Sequence, residues 1–276
     1  MDLARDAARA ARALENAATL IVTAGAGMGV DSGLPDFRGD QGFWKAYPMY
    51  ERLGLSFVDA ANPQHFGDDP AFGWGFYGHR LNLYRETKPH AGFALLRRWI
   101  ERFKLEWFVV TSNVDGQFQK AGFDDGQIVE VHGSIHHLQC MAPCSDAIWP
   151  NREQVPVDHS TMRAQRIPRC PSCGAVARPN ILMFGDSGWI ADRTYDQQRR
   201  LEDFARQHGG QETVVIEMGA GTSIPTIRYA SERLGDDGGL VVRINPREPQ
   251  IRPPHVSLPV GALAGLTAIE KALEDG

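Results

Sequence analysis

Two sets of side chains in this sequence are spaced for chemistry. Cys140-x3-Cys144 and Cys170-x2-Cys173 form two knuckles separated by Ser145 to Arg169. Paired knuckles of this kind close four thiolates around a tetrahedral zinc ion. Four sulfur ligands complete the coordination, so the ion would be structural and would hold no catalytic water. His136 or His137 in place of one cysteine is the alternative ligand set. The four cysteines are the only ones in the chain, and Met1 to Ala18 lacks the apolar block of an export signal. Metal rather than disulfide pairing, and a cytoplasmic location, are therefore expected. The segment between the knuckles is polar and contains proline, and reads as a loop tied down by the metal.

The second set is a glycine loop followed by charge. Leu20-Ile21-Val22 reads as a buried strand and breaks into Gly25, Gly27, Gly29 and Gly33. Glycines bring backbone amides close to a phosphate, and a helix start behind them favours the anion. The dehydrogenase fingerprint needs glycines at its first, third and sixth positions. Here the sixth position is Val30, so a hydride-transfer site is disfavoured. Taken alone, the run could also be an ordinary strand–helix turn. Pro35-Asp36-Phe37-Arg38 then adds a stiff turn, a carboxylate, an aromatic ring and a guanidinium.

Further polar groups fall at the ends of apolar runs, where open α/β sheets place ligands. Trp107–Val110 leads into Ser112, Asn113 and Asp115, and Ile128–Val131 leads into His132. Thr213–Met218 leads into Gly221-Thr222-Ser223, and Leu240–Ile244 into Asn245. Read singly, Asn113 and Asp115 could cap a turn, and His132 could be structural. Imidazole suits a base at neutral pH because its ordinary pKa lies near 6.5. Tyr77 and Arg80 stand at i and i+3, on one face if this stretch is helical, where a phenol and a guanidinium can clamp a carboxylate. Gly78 between them weakens the helix, and Arg80 could instead pair with a nearby Asp or Glu.

Taken in order, these segments resemble the sirtuin family of NAD-dependent protein deacylases. The family's Gly-Ala-Gly loop and Ser-Gly-Ile-Pro-Asp-Phe-Arg-Gly run are similar to Gly25-Ala26-Gly27 and Ser32-Gly33-Leu34-Pro35-Asp36-Phe37-Arg38-Gly39. Its Thr-Gln-Asn-Ile-Asp-Gly-Leu-His resembles Thr111 to Phe118, with Ser112 for Gln and Gln117-Phe118 for Leu-His. Its Glu-(Leu/Val)-His-Gly matches Glu130 to Gly133. Gly29 stands where serine is usual.

The resemblance implies that NAD is consumed as a substrate and that zinc is structural. It assigns nucleotide contacts to Gly25, Ala26, Gly27, Asp36, Phe37, Arg38, Ser112, Asn113, Asp115, Gly221, Thr222, Ser223 and Asn245. It makes His132 the catalytic base, with Asn113 and Asp115 serving the nicotinamide end. The acyl group of a modified lysine would pass to ADP-ribose as nicotinamide leaves. Family members that remove succinyl and malonyl groups carry a Tyr-x-x-Arg pair similar to Tyr77 and Arg80, so acidic acyl groups are expected as well as acetyl. Met183, Phe184 and Gly185 correspond to the extended segment that pairs with the substrate peptide. A plain buried strand is the other reading there. An NAD glycohydrolase, an ADP-ribosyltransferase using the same pocket, and a non-catalytic NAD- or zinc-binding module are the rival functions.

The positioning elements follow from periodicity. Apolar runs near 20, 108, 129, 214 and 242 alternate with helical patterns, giving an α/β, Rossmann-like doubly wound parallel sheet. A smaller inserted domain, a helical module plus zinc ribbon, would span 43–85 and 135–178. The NAD-binding domain would comprise 1–42, 86–134 and 179–276. The 276 residues suit this size, and a net charge of −5 gives no reason to expect nucleic acid or an anionic membrane as partner.

Overall fold

The computed structural model describes residues 2–35 and 39–275. Its strands are β1 (Thr19–Ala24), β2 (Glu106–Thr111), β3 (Ile128–Glu130), β4 (Gly133–Cys140), β5 (Ile148–Pro150), β6 (Val157–Asp158), β7 (Arg163–Ala164), β8 (Ala177–Ile181), β9 (Thr213–Met218), β10 (Leu240–Ile244) and β11 (Val256–Leu258). A six-stranded sheet runs β11-β10-β9-β1-β2-β3, with every pairing parallel. All six residues of β1 are buried, as expected for a central parallel strand covered on both faces.

The five expected strands of this sheet are present. β11 was not expected. It holds three residues between Pro253-Pro254 and Pro259, too few to show a period. The stretch 145–169 is also not a plain loop. β5 pairs with β4, and β6 and β7 form a short hairpin.

Strand order sets the place of the site. The chain moves outward from β1 through β2 to β3, then returns to β9 and moves the other way. β1 and β9 therefore flank the switch point, where a crevice opens at the carboxyl ends. Ala24 is level with both Thr111 and Met218. Gly25, Ser112 and Gly219 thus leave the sheet side by side.

Helices cover the sheet through small and branched apolar residues. The helix Leu3–Asn16 starts on Asp2, whose carboxylate accepts from Ala4 N and Arg5 N at 3.1 and 3.2 Å. Its Ala7, Ala10, Ala11 and Leu14 recur at helical spacing and enter the main core with Leu266, Ile269 and Leu273 of the helix Ala262–Asp275. Among the described helices none is long and apolar enough to cross a membrane.

A second buried cluster gathers Phe43, Tyr47, Tyr50, Phe66, Trp74, Phe76 and Tyr77 with Ile135, Leu138 and Ile181. Its spine is the helix Pro70–Glu86, with Pro70 at its first turn and Asp69 accepting from Phe72 N at 3.3 Å. Glycines inside a helix cost stability, but packing demands two of these. A Cβ on Gly75 would lie 1.7 Å from Met162 O, and one on Gly78 would lie 2.6 Å from Val155 Cγ1. The β6–β7 segment lies directly on this glycine face.

Candidate active site

A cavity of about 870 Å³ opens at the switch point. The sheet edge supplies one wall: Gly25 and Ala26 after β1, Ser112, Asn113 and Asp115 after β2, and Gly219 to Ser223 after β9. The helix Pro70–Glu86 supplies another with Tyr77, Arg80 and Tyr84, and His132 faces the same space.

The sheet-edge wall is held together by backbone. Gly219 has φ +60°, and a Cβ there would lie 2.4 Å from the Gly27 carbonyl carbon. A Cβ on Gly25 would lie 2.8 Å from Gly219 O. The β1 and β9 loops can therefore touch only as glycine on glycine, and Gly27 N donates to Gly219 O at 3.1 Å. Asn113 joins the third loop, its Nδ2 donating to Gly25 O at 3.0 Å. This cradle is one that side chains would fill, which fits a site for the anionic pyrophosphate of a dinucleotide.

His132 follows β3 and is half-buried. Burial holds its pKa below the ordinary imidazole value, and a hydrogen bond to the Ser112 backbone acts in the opposite direction. One ring nitrogen bound to that carbonyl leaves the other as a proton acceptor. Asp115 is buried and its pKa is pushed up to about 6 by desolvation, against the stabilising Gln117 amide that it accepts at 2.9 Å. His136 is half-buried. Its Nε2 contacts Asp115 O at 2.9 Å, so it supports that turn from behind.

The helix wall is aromatic. The Arg80 guanidinium lies 5.1, 5.5 and 5.4 Å from the ring centroids of Phe76, Tyr77 and Tyr84. Its Nε and Nη2 donate to Tyr84 Oη at 3.0 and 2.8 Å. Tyr77 and Arg80 do share a face of an intact helix despite Gly78. Burial pushes the Tyr77 hydroxyl up to about 12, so it stays a neutral donor. Tyr84 was not anticipated. Its spacing of four from Arg80 was the available signal.

Met183 and Phe184 line the cavity, whereas Gly185, with φ +66°, does not. The strand ends at Ile181, short of these residues. The amides of Leu182, Met183 and Phe184 donate to His132 O, Asp186 Oδ2 and Ala61 O at 3.0, 3.2 and 3.1 Å. A peptide laid here meets carbonyl acceptors at these three residues, because their amides are already engaged. Asp186 is locked by Arg178, at 2.5 Å in a buried pair.

Two nucleotide contacts expected from sequence, Gly27 and Asn245, are not among the residues that line the cavity. The partly exposed Gly27 meets Gly219 through its backbone. Asn245 is fully buried; its Nδ2 donates to Ala220 O at 2.8 Å and its Oδ1 accepts from Arg247 N and Glu248 N, each at 3.0 Å. It builds the loop that presents Glu248 to the cavity. Glu248 accepts from Thr222 N at 3.1 Å and from the Thr222 hydroxyl. Glu248 was missed because an acid four residues past a strand has many ordinary uses. Asp36, Phe37 and Arg38 lie outside the described residues.

The four cysteines converge. Their sulfurs all lie within 4.8 Å of one another, with Cys140–Cys173 and Cys144–Cys170 at 3.6 Å. A tetrahedron of thiolates at the usual zinc distance has edges of about 3.8 Å, so the donor set fits a structural zinc. β4 runs from Gly133, beside His132, to Cys140, and so links the two sites.

A profile of the Sir2 family matches residues 25–203. A Thermus thermophilus protein named NAD-dependent protein deacylase is 31% identical over 273 residues, covering 94% of this chain and 92% of its own. One of the same name from Leptospira interrogans is 30% identical over 226 residues, covering 80% and 79%. In fold, the chain resembles a Sir2 homologue solved with NAD, with a TM-score of 0.74 at 23% identity over 97% of this chain and 94% of the other. It also resembles a Sir2 variant solved with a deacetylated p53 peptide and 3′-O-acetyl ADP ribose, with a TM-score of 0.65 at 19% identity over 95% and 96%.

Proposed function

This chain belongs to the Sir2 family, and from that membership we infer that it is an NAD-dependent protein deacylase acting on acylated lysine side chains. The observation that carries the reading is the meeting, in one cavity, of His132, Asn113 and Asp115 with the glycine cradle of β1 and β9. NAD supplies a glycosidic bond whose cleavage exposes a ribose carbon to the acyl oxygen. Everything else falls to the chain. The cradle, with Ala26 and Gly221 to Ser223, receives the phosphates and the adenosine side. Asn113, pinned to Gly25 O, and Asp115 hold the nicotinamide side beside Ser112. Asp36, Phe37 and Arg38 complete that site in this reading. His132 takes the ribose hydroxyl proton on the nitrogen not held by Ser112.

The acyl group sits against the helix wall. Arg80 is buried, and Tyr77 keeps its proton, so together they accept a carboxylate at the end of a succinyl or malonyl group. Met183 and Phe184, with exposed Val58 and Leu182 at the mouth, receive the peptide. The same reading divides the chain into 1–42, 86–134 and 179–276 for the nucleotide and 43–85 with 135–178 for the acyl wall and zinc. Separate buried clusters support it. It places the protein in the cytoplasm, where thiols stay reduced for metal.

The test is product analysis on an acyl-lysine peptide with NAD. Free lysine, nicotinamide and acylated ADP-ribose should form in equal amounts. His132→Ala should keep the fold and the zinc and lower the rate by about 10²- to 10⁴-fold. ADP-ribose without deacylated peptide would instead make the protein a glycohydrolase.

A further inference from the structure

The helix wall of the cavity carries a donor that the chemistry above leaves idle. Tyr77, Arg80 and Tyr84 stand at i, i+3 and i+7 on one face of the helix Pro70–Glu86, and all three line the cavity. Tyr84 is 5% exposed. Gln117 Nε2 donates to its backbone oxygen at 3.3 Å and anchors it from behind. Its hydroxyl oxygen accepts from Arg80 Nε and Nη2 at 3.0 and 2.8 Å. A hydroxyl has one proton to give and two lone pairs to fill. Both lone pairs of Tyr84 Oη take N–H groups, so its proton is left for a third group. Among the described residues no group accepts it. Asp115 faces this tyrosine electrostatically, but its printed side-chain bond goes to Gln117 N. Burial holds the Tyr84 pKa above the ordinary phenol value, so the proton stays in place at neutral pH. The guanidinium on its lone pairs polarises the hydroxyl and makes it a stronger donor. A buried donor of this kind calls for an acceptor that arrives with the ligand.

An acetyl group cannot supply that acceptor. Its single oxygen is the atom that meets the ribose carbon, and its far end is a methyl. The far carboxylate of a dicarboxylic acyl group brings two oxygens with about four acceptor sites, enough for several donors at once. An O–H group on a carboxylate forms a bond roughly twice as strong as a neutral one. Such a donor therefore adds discrimination between acyl groups rather than general affinity. We propose that Tyr84 determines acyl choice as a third donor, beside Tyr77 and Arg80, to the carboxylate of a dicarboxylic acyl group, and takes no part in removing neutral acyl groups. This inference rests on the acidic-acyl reading of the cavity and deepens it.

The experiment uses the full zinc-loaded chain. Initial rates are measured with NAD on one peptide carrying acetyl-, butyryl- or succinyl-lysine, for wild type, Tyr84→Phe, Arg80→Met and the double variant. Phenylalanine keeps the ring packed against Arg80 and removes only the hydroxyl. Tyr84→Phe should raise KM for the succinyl peptide and lower its kcat/KM about tenfold. The acetyl and butyryl peptides should change less than about twofold. The double variant separates direct donation from support of Arg80. It should lose at least about threefold more on the succinyl peptide than Arg80→Met alone. No further loss would mean that Tyr84 acts only through Arg80. Equal losses on acetyl and succinyl peptides would make Tyr84 structural, and a raised KM for NAD would assign its proton to the nicotinamide side. If Tyr84→Phe unfolds, wild type isotope-labelled at tyrosine Cζ decides. Its Tyr84 resonance should move on adding succinyl peptide and stay on adding acetyl peptide; the same movement with both overturns the proposal. Wild type that removes acetyl but not succinyl would overturn the acidic-acyl reading and this inference with it. Wild type that takes succinyl while Tyr84→Phe takes it equally well would overturn this inference alone.

Discussion

Along the sheet edge the cavity is lined by glycines, two alanines and short polar side chains, and its shape is set by backbone atoms in contact. Along the helix Pro70–Glu86 it is lined by two tyrosines and an arginine, and its shape is set by ring packing. The first wall inherits its position from strand register, since Ala24, Thr111 and Met218 are level. The second inherits its position from a small module held on one side by β6–β7 and on the other by β4 and β8, where Trp74 Nε1 donates to Ala177 O at 2.7 Å. The contrast suits a reaction with one invariant partner and one variable partner. In the proposed reading, the wall of backbone receives a dinucleotide that never changes, whereas the wall of side chains can be re-cut for different acyl groups.

Removing zinc should separate the walls most sharply. Structural zinc contributes on the order of 10 kcal/mol to small metal-held folds. Chelation should abolish deacylation and raise amide exchange across residues 133–181, while β1 and β9 stay protected. Uniform exchange across both regions would show that the chain melts as one unit. A smaller change breaks the other wall. Gly219→Ala puts a Cβ 2.4 Å from Gly27 at a positive φ. It should cost at least about 3 kcal/mol in urea unfolding and weaken NAD binding. Full stability in that variant would mean that the two loops are free to part.

Acyl selectivity depends on the helix wall alone in this reading. Arg80→Met should lower kcat/KM for a succinyl peptide by about 100-fold and for an acetyl peptide by less than about threefold. Equal losses would make Arg80 purely structural. The smallest effect is on pH. His132 has a pKa below the ordinary value, and Asp115 ionises near pH 6, so both lie in the catalytic form above neutrality. The rate should rise with pH up to about 7 and then stay flat to about 8. The linked stabilities have opposite signs. Asp115, with its raised pKa, favours folding below its unfolded value and loses that contribution as pH rises through about 6. His132, with its lowered pKa, favours folding above its unfolded value and loses that contribution as pH falls through its folded one. A rate that fell steadily from pH 6 to 8 would exclude His132 as base.

Much of the sheet was legible because buried parallel strands read as short apolar runs with polar ends. The switch-point residues Gly25, Asn113 and His132 were legible for the same reason. β11 and the β6–β7 hairpin were not, since two or three residues carry no period. The helix Pro70–Glu86 was obscured by its glycines, whose purpose is visible only when Met162 and Val155 are seen lying against them.

Sequence alone determined the chemistry this chain can perform: the residue types at the strand ends, the four thiolates, and the order in which they occur. Tertiary structure decided which of those groups face the cavity and which support it. Asn245 turned inward onto Ala220 O and built the Glu248 loop, and Gly27 closed onto Gly219 O. These outcomes depend on contacts between segments far apart in the chain, and no local spacing encodes which way a side chain turns when two such segments meet.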